Sequence, residues 1–213
     1  MIVKDGEEAR QRAAQVISAG GVLAFRTDTF YGLGADPFNR DAIRHINELK
    51  GRDGKPILVV LSDASEAERF IKNRTKLFDA ISMHHWPGAL TIVVCAKPEV
   101  PIELTAGSGT IGLRLPDDEA VRSFIRACGG ALTATSANLA GEQPARTAEA
   151  VARSFPSRLD LIIDSGEYRG DKPSTVLDIS GEHVRLIREG AVTRQELEET
   201  LKRESGGKSL FQT

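Results

Sequence analysis

Hydrophobic and polar positions along this chain switch repeatedly between a helical and a strand-like period. Ala9, Ala13, Val16 and Ile17 form one apolar face of a first helix, which Gly20-Gly21 stops. Val22-Leu23-Ala24-Phe25 follows as a buried strand. Asn39 is placed to cap a second helix, in which Ile43, Ile46 and Leu49 recur at helical spacing. Ile57-Leu58-Val59-Val60-Leu61 is a continuous apolar strand, and Asp63 with Glu66 then makes a capping-box pattern. A helix through Leu77, Phe78 and Ile81 ends at Trp86-Pro87-Gly88. Leu90 to Cys95 and Ile111 to Leu115 read as strands. Val121, Phe124, Ile125 and Cys128 line a further helix, closed by Gly129-Gly130. Short strands follow at Leu161-Ile162-Ile163, Thr175-Val176-Leu177 and Val184-Arg185-Leu186-Ile187. Thr193 and Glu196 box a last helix with Leu197 and Leu201 facing inward.

Strands alternate with helices early and follow one another directly later. That order predicts an α/β fold with a mixed parallel and antiparallel sheet. Residues 1–203 are expected to form one domain, and 204–213, which lack periodicity and contain Gly206-Gly207, a frayed tail.

Composition narrows the class without naming a chemistry. The 213 residues are 40% hydrophobic and 27% charged, ordinary for a globular protein. No apolar stretch approaches the roughly 20 residues needed to span a bilayer. The N-terminus is acidic and runs into the first helix, so it does not read as a signal peptide. Two cysteines without metal-like spacing predict reduced thiols and a cytoplasmic setting. A formal charge of −2 argues against a dedicated nucleic-acid binder, so any basic site is local.

Two segments carry the candidate chemistry. Thr27-Asp28-Thr29-Phe30-Tyr31-Gly32-Leu33-Gly34 follows a buried strand, where hydroxyls and glycines let backbone amides approach a ligand. Lys50-Gly51-Arg52 ends a helix, and two cations so placed suit a phosphorylated ligand. Taken alone, that second segment reads more readily as a solvated turn. Gly107-Ser108-Gly109-Thr110-Ile111-Gly112 imitates a dinucleotide loop, but it leads into a strand rather than a helix. Gly207-Lys208-Ser209 imitates a phosphate loop without its upstream glycine. His84 and His85, adjacent on a helix, point about 100° apart and cannot share a metal. His45 and His183 have no partners at ligand spacing. An enzyme built from these residues works by positioning and electrostatics.

Taken together, Thr27 to Gly34, Lys50-Gly51-Arg52, Trp86-Pro87-Gly88-Ala89-Leu90-Thr91, Arg114-Leu115-Pro116, Thr135-Ser136-Ala137-Asn138, Pro173-Ser174-Thr175-Val176 and Arg188-Glu189-Gly190 occur in an order that resembles the YrdC-domain family of threonylcarbamoyl-AMP synthases. The resemblance covers about residue 7 to residue 200. It implies a twisted mixed sheet with flanking helices and a large, positively lined cleft. It implies an enzyme, a nucleotidyltransferase joining L-threonine, bicarbonate and ATP into threonylcarbamoyl-adenylate and pyrophosphate. Mg2+ is expected on the ATP phosphates. A downstream transferase then moves the threonylcarbamoyl group to position 37 of tRNA.

Residue by residue, the family pattern implies that Lys50 and Arg52 are catalytic. It puts ATP on Arg52, Lys55, Thr110, Ser136, Asn138 and Arg188, with Asn138 orienting the loop around Ser136. It puts threonine on Thr29, Arg114, Ser174 and the backbone of Ala134, Arg114 holding the carboxylate. Read without the family, Thr110 and Ser174 serve equally as turn caps, and Arg114 and Arg188 as partners of surface carboxylates. Tyr31 packs against the glycine turn, and Trp86-Pro87-Gly88 makes a structural corner. This chain departs from many relatives in having Asp53 after Arg52, a short loop to Pro56, and Val60 where a histidine touches threonine. It is expected to be of the single-domain form. The rival readings are a YrdC-like RNA-binding module, with weak RNA binding in the cleft, and a paralogue acting on another carbamoyl-adenylate.

Overall fold

The computed structural model describes residues 1–51, 55–139, 141–168 and 172–204. The chain opens with β1 (Ile2–Lys4) and α1 (Glu7–Ser18), then folds β2 (Leu23–Arg26) back on β3 (Tyr31–Gly34). α2 (Arg40–Lys50), β4 (Leu58–Leu61), a 3-10 segment (Ala64–Arg69), α3 (Lys76–His85) and β5 (Leu90–Cys95) follow. Then come a one-turn α4 (Ile102–Thr105), β6 (Thr110–Arg114), α5 (Glu119–Ala127), β7 (Ala131–Ser136) and α6 (Ala148–Ser154). The chain finishes with β8 (Leu161–Asp164), β9 (Thr175–Asp178), β10 (Arg185–Arg188) and α7 (Arg194–Glu204). Residues 205–213 of the expected tail lie outside the described residues.

Among the described residues, all these strands join one sheet in the order β1-β8-β2-β3-β7-β4-β6-β5-β9-β10. It is mixed, as the element order predicted: β1/β8, β2/β8, β4/β6 and β5/β9 run parallel, the other neighbours antiparallel.

Local signals act where the sequence placed them. Asn39 caps α2 by accepting from the Ala42 amide, and Gly51 closes that helix with a left-handed φ of 56°. Glu196 Oε2 accepts from both the amide and the hydroxyl of Thr193, completing the box at α7. The Asp63–Glu66 pattern opens only the 3-10 segment, because Glu66 turns to Arg69 and α3 takes its own cap from Thr75. The segment expected to be a ligand loop is half strand: Tyr31–Gly34 is β3, and only Thr27 to Phe30 form the hairpin turn. Gly34 serves packing rather than ligand approach, since a Cβ there would stand 2.7 Å from the Phe25 ring.

Alternation on the strands sends side chains to two different surroundings. Val59, Leu61, Ile92, Val94, Ile111, Leu113 and Leu177 point into a core shared with α2, α3, α6 and α7. On the opposite face, α1 and α5 bury Leu23, Phe25, Leu132, Leu161 and Ile163. Beyond α5 that second face of β4, β6, β5, β9 and β10 carries the alternate residues Leu58, Val60, Gly112, Arg114, Thr91, Val93, Val176 and Asp178. These line an open cleft of about 580 Å3.

Candidate active site

The strand registers arrange the cleft in rows. Val60 stands opposite Arg114, Thr91 opposite Val176, and Val176 opposite Arg188, one row running across the sheet. The next row is Gly112, Val93, Asp178 and Arg185. Thr110 lies one step further along β6, and Ser136, paired with Gly32 of β3, reaches the same end of the cleft. Rows two residues apart on a strand are separated by roughly 6.6 Å.

Arg114 is the most constrained charge in the cleft. Its side chain is 3% exposed, it pairs with Asp28, and its Nη1 donates to Thr29 Oγ1 at 3.2 Å. Burial pushes its pKa down to about 10, so it remains cationic at neutral pH. Thr29 is fixed in turn by Thr27, whose hydroxyl accepts from the Thr29 amide and meets the Thr29 hydroxyl at 3.0 Å. Arg114 Nε is buried with no hydrogen-bond partner among the described residues. A buried donor left this way costs free energy until a ligand oxygen meets it.

Arg188 and Ser174 form the other side of the first row. Arg188 directs Nε and Nη2 at the Ser174 carbonyl, at 3.1 and 2.8 Å, and Nη2 also reaches the Ser174 hydroxyl. That hydroxyl meets Thr91 Oγ1 at 3.2 Å. Gly190 lets the exit of β10 lie directly on the backbone of Pro173 and Ser174, where any Cβ would collide. Burial lowers the Arg188 pKa below the usual guanidinium value.

Lys50 is not at the cleft mouth. It is 4% exposed and sends Nζ to the carbonyls of Ser136 and Asn138, the latter at 2.8 Å. The reason is in the helix: Lys50 follows Ile43 and Ile46 at i+7 and i+4, on the buried face of α2. Asn138 is buried and donates Nδ2 to Leu139 O and Glu142 O, which fixes the turn after β7. Ser136, Thr110, Thr29, Ala134, Ser174, Arg114 and Arg188 all line the cleft. Thr110 Oγ1 also contacts Ser108 Oγ at 2.9 Å. Lys55 is exposed and stands outside the lining, next to Pro56, which belongs to it. Arg52 lies outside the described residues.

Sequence reasoning set Tyr31 aside as packing and gave no role to Thr91, Asp178 or Arg185. Tyr31 lines the cleft, and its hydroxyl, pushed up to about 12 mainly by burial, donates to Gly166 O. Thr91, Asp178 and Arg185 line it too. Alternation along Val184-Arg185-Leu186, with both aliphatics inward, is the signal that would have found Arg185.

With this geometry in place, the family is decided by a direct match. A family model described as "Telomere recombination", covering the Sua5, YciO and YrdC proteins, matches residues 15–190. The chain belongs to the Sua5/YciO/YrdC family. It is 35% identical over 189 residues to a threonylcarbamoyl-AMP synthase of Bacillus subtilis, covering 88% of this chain and 55% of that protein. It is 36% identical over 171 residues to the threonylcarbamoyl-AMP synthase of Marinobacter nauticus, covering 78% of this chain and 89% of the other. Among solved structures, P. abyssi Sua5 complexed with L-threonine superposes with a TM-score of 0.88 at 31% identity, over 94% of this chain and 60% of that one. The chain thus spans little more than half the length of some of these relatives. The YrdC-like fold expected from the motifs is the fold of this family member, and among its described residues no helix is long and apolar enough to cross a membrane.

Proposed function

We propose that this family member is an L-threonylcarbamoyladenylate synthase, making threonylcarbamoyl-AMP and pyrophosphate from L-threonine, bicarbonate and ATP. The observation that carries the reading is the cationic, buried Arg114, whose Nε lacks a partner among the described residues, facing a cleft whose far end carries the hydroxyls of Thr110 and Ser136. An amino-acid carboxylate supplies the missing acceptor, and a guanidinium is the side chain best shaped to receive it. The printed names of the relatives, and the L-threonine bound to P. abyssi Sua5, support the same assignment.

In this account threonine lies along the first row, its carboxylate on Arg114 and its polar groups against Thr29, Ser174 and the backbone of Ala134. Its neutral amine forms a carbamate, adding to carbon dioxide with loss of a proton or condensing with bicarbonate with loss of water. A carbamate oxygen then bonds to the α-phosphorus of ATP as the bond to pyrophosphate breaks. Charge builds on phosphate oxygens in that step, and Arg188 and Arg52 with the Ser136 and Thr110 hydroxyls are the groups proposed to receive it. Lys50 contributes from behind by holding the Ser136–Asn138 backbone. Magnesium enters on the phosphates of its ATP substrate. The product then serves a transferase acting on tRNA position 37.

Pyrophosphate release measured with all substrates, then without threonine, then without bicarbonate, tests this. Release is expected to require both; release that ignores either omission overturns the reading.

A further inference from the structure

The edge strand β10 contains a bulge that turns two arginines onto the same face. Leu186 stands opposite Leu177 and Arg188 opposite Val176, so Ile187 is an extra residue without a partner position. Under strict alternation Arg188 would share the core face with Val184 and Leu186. The bulge instead moves it to the cleft face, where Arg185 already stands opposite Asp178. Arg185 therefore occupies the row between Arg114 and Arg188 on one side and Thr110 and Ser136 on the other.

Arg185 is also held. Its Nη2 donates to Asp178 Oδ2 at 2.5 Å, while Asp178 Oδ1 accepts from the amide and hydroxyl of Ser180. Asp178 is buried and its side chain is almost entirely covered, whereas that of Arg185 is 62% exposed to the cleft. Among the described residues, Nε and Nη1 of Arg185 make no hydrogen bond. A buried carboxylate thus holds Nη2 and leaves the N–H groups of Nε and Nη1 for an anion. Among the described residues no other member of that row carries a positive charge: they are Leu58, Gly112, Val93 and Asp178.

We infer that Arg185 is a phosphate-binding residue of this cleft, gripping the β- and γ-phosphates that depart as pyrophosphate, with Asp178 as its positioning residue. The inference rests on the proposed function in one respect: the order of substrates along the rows. An amino acid at the Arg114 end and a nucleotide at the Ser136 end leave the reacting phosphates over the Arg185 row.

The test is direct titration of the full chain with inorganic tripolyphosphate, in the absence of turnover, alongside initial-rate kinetics. Arg185→Gln is expected to weaken tripolyphosphate binding and raise the KM for ATP by roughly tenfold each, while the KM for threonine stays within about twofold. Arg185→Lys should fall between. If Arg185→Gln unfolds because Asp178 is left buried alone, the Arg185→Gln/Asp178→Asn double variant removes that carboxylate and replaces it in the titration. Unchanged tripolyphosphate binding in a folded variant, or an equal rise in both KM values, overturns the inference. Arg185-dependent tripolyphosphate binding without threonine-dependent turnover would sustain it and defeat the proposed function instead.

Discussion

Arg188 holds Ser174 by the main chain, with two guanidinium nitrogens on one carbonyl oxygen, and so couples the β10 edge to the loop that enters β9. Under the proposed function one residue would accordingly serve both substrates. Arg188→Ala is expected to raise the KM for ATP and for threonine together, each by about tenfold or more. Arg114→Ala is expected to raise the threonine KM alone, because Arg114 is bonded to Thr29, which is proposed to lie against threonine. Kinetics with each substrate varied in turn separate the two patterns, and equal effects of Arg114→Ala on both substrates would remove it from the carboxylate.

Lys50 bonds backbone carbonyls that no other described side chain reaches in this way. Lys50→Met keeps the aliphatic stem and removes the donor, leaving the Asn138 carbonyl unmet and the Ser136 carbonyl with only the Asn138 amide, at a cost of about 1–3 kcal/mol. Thermal denaturation should show a lower Tm together with reduced activity. An unchanged Tm with lost activity would put Lys50 on the substrate rather than behind it.

Gly34→Ala drives a methyl group into the Phe25 ring, which is itself stacked on Phe124 at 5.4 Å. Overpacking of this kind costs about 1–3 kcal/mol. Phe25→Leu should recover part of that loss in the Gly34→Ala background, and a double-mutant cycle in denaturant measures the coupling. Additive effects would mean the glycine is there for another reason.

His85 sits between α3 and α7, its Nε2 against Thr200 Oγ1 at 3.0 Å. Burial, reinforced by His84, lowers its pKa in the folded protein despite the opposing charge of Glu196. Below pH 6.5 the unfolded chain therefore binds the proton more readily, and stability falls as pH falls through that window. The carboxylates with lowered values, such as Glu103, Glu119 and Asp178, act only at lower pH. His85→Gln should flatten the decline in Tm as pH falls below about 6.5; an equally steep decline would assign it to other groups.

Much of this was legible in the residues because local rules and tertiary structure agree. The Asn39 cap, the Thr193–Glu196 box and the apolar runs of β4 and β5 lie where the pattern put them. What escaped depended on contacts distant in sequence. Lys50 looked exposed because charge suggests solvent, although its spacing from Ile43 and Ile46 already placed it on the buried face. β3 looked like a ligand loop because of its two glycines; Gly32 does line the cleft, but Gly34 answers to Phe25 across the hairpin. Arg188 was placed in the cleft by resemblance alone, since alternation from Val184 and Leu186 points the other way until a bulge intervenes. β1, three residues long, has no periodicity to read.

The proposed activity yields one diagnostic product. Incubating the protein with ATP, L-threonine and isotopically labelled bicarbonate, and recording the mass spectrum of the nucleotides, tests it most directly. The predicted result is an AMP adduct carrying the mass of threonine and the labelled carbon, lost in Arg114→Ala at low threonine and regained at high threonine. AMP or ADP without the label, or an adduct that forms without threonine, would contradict it.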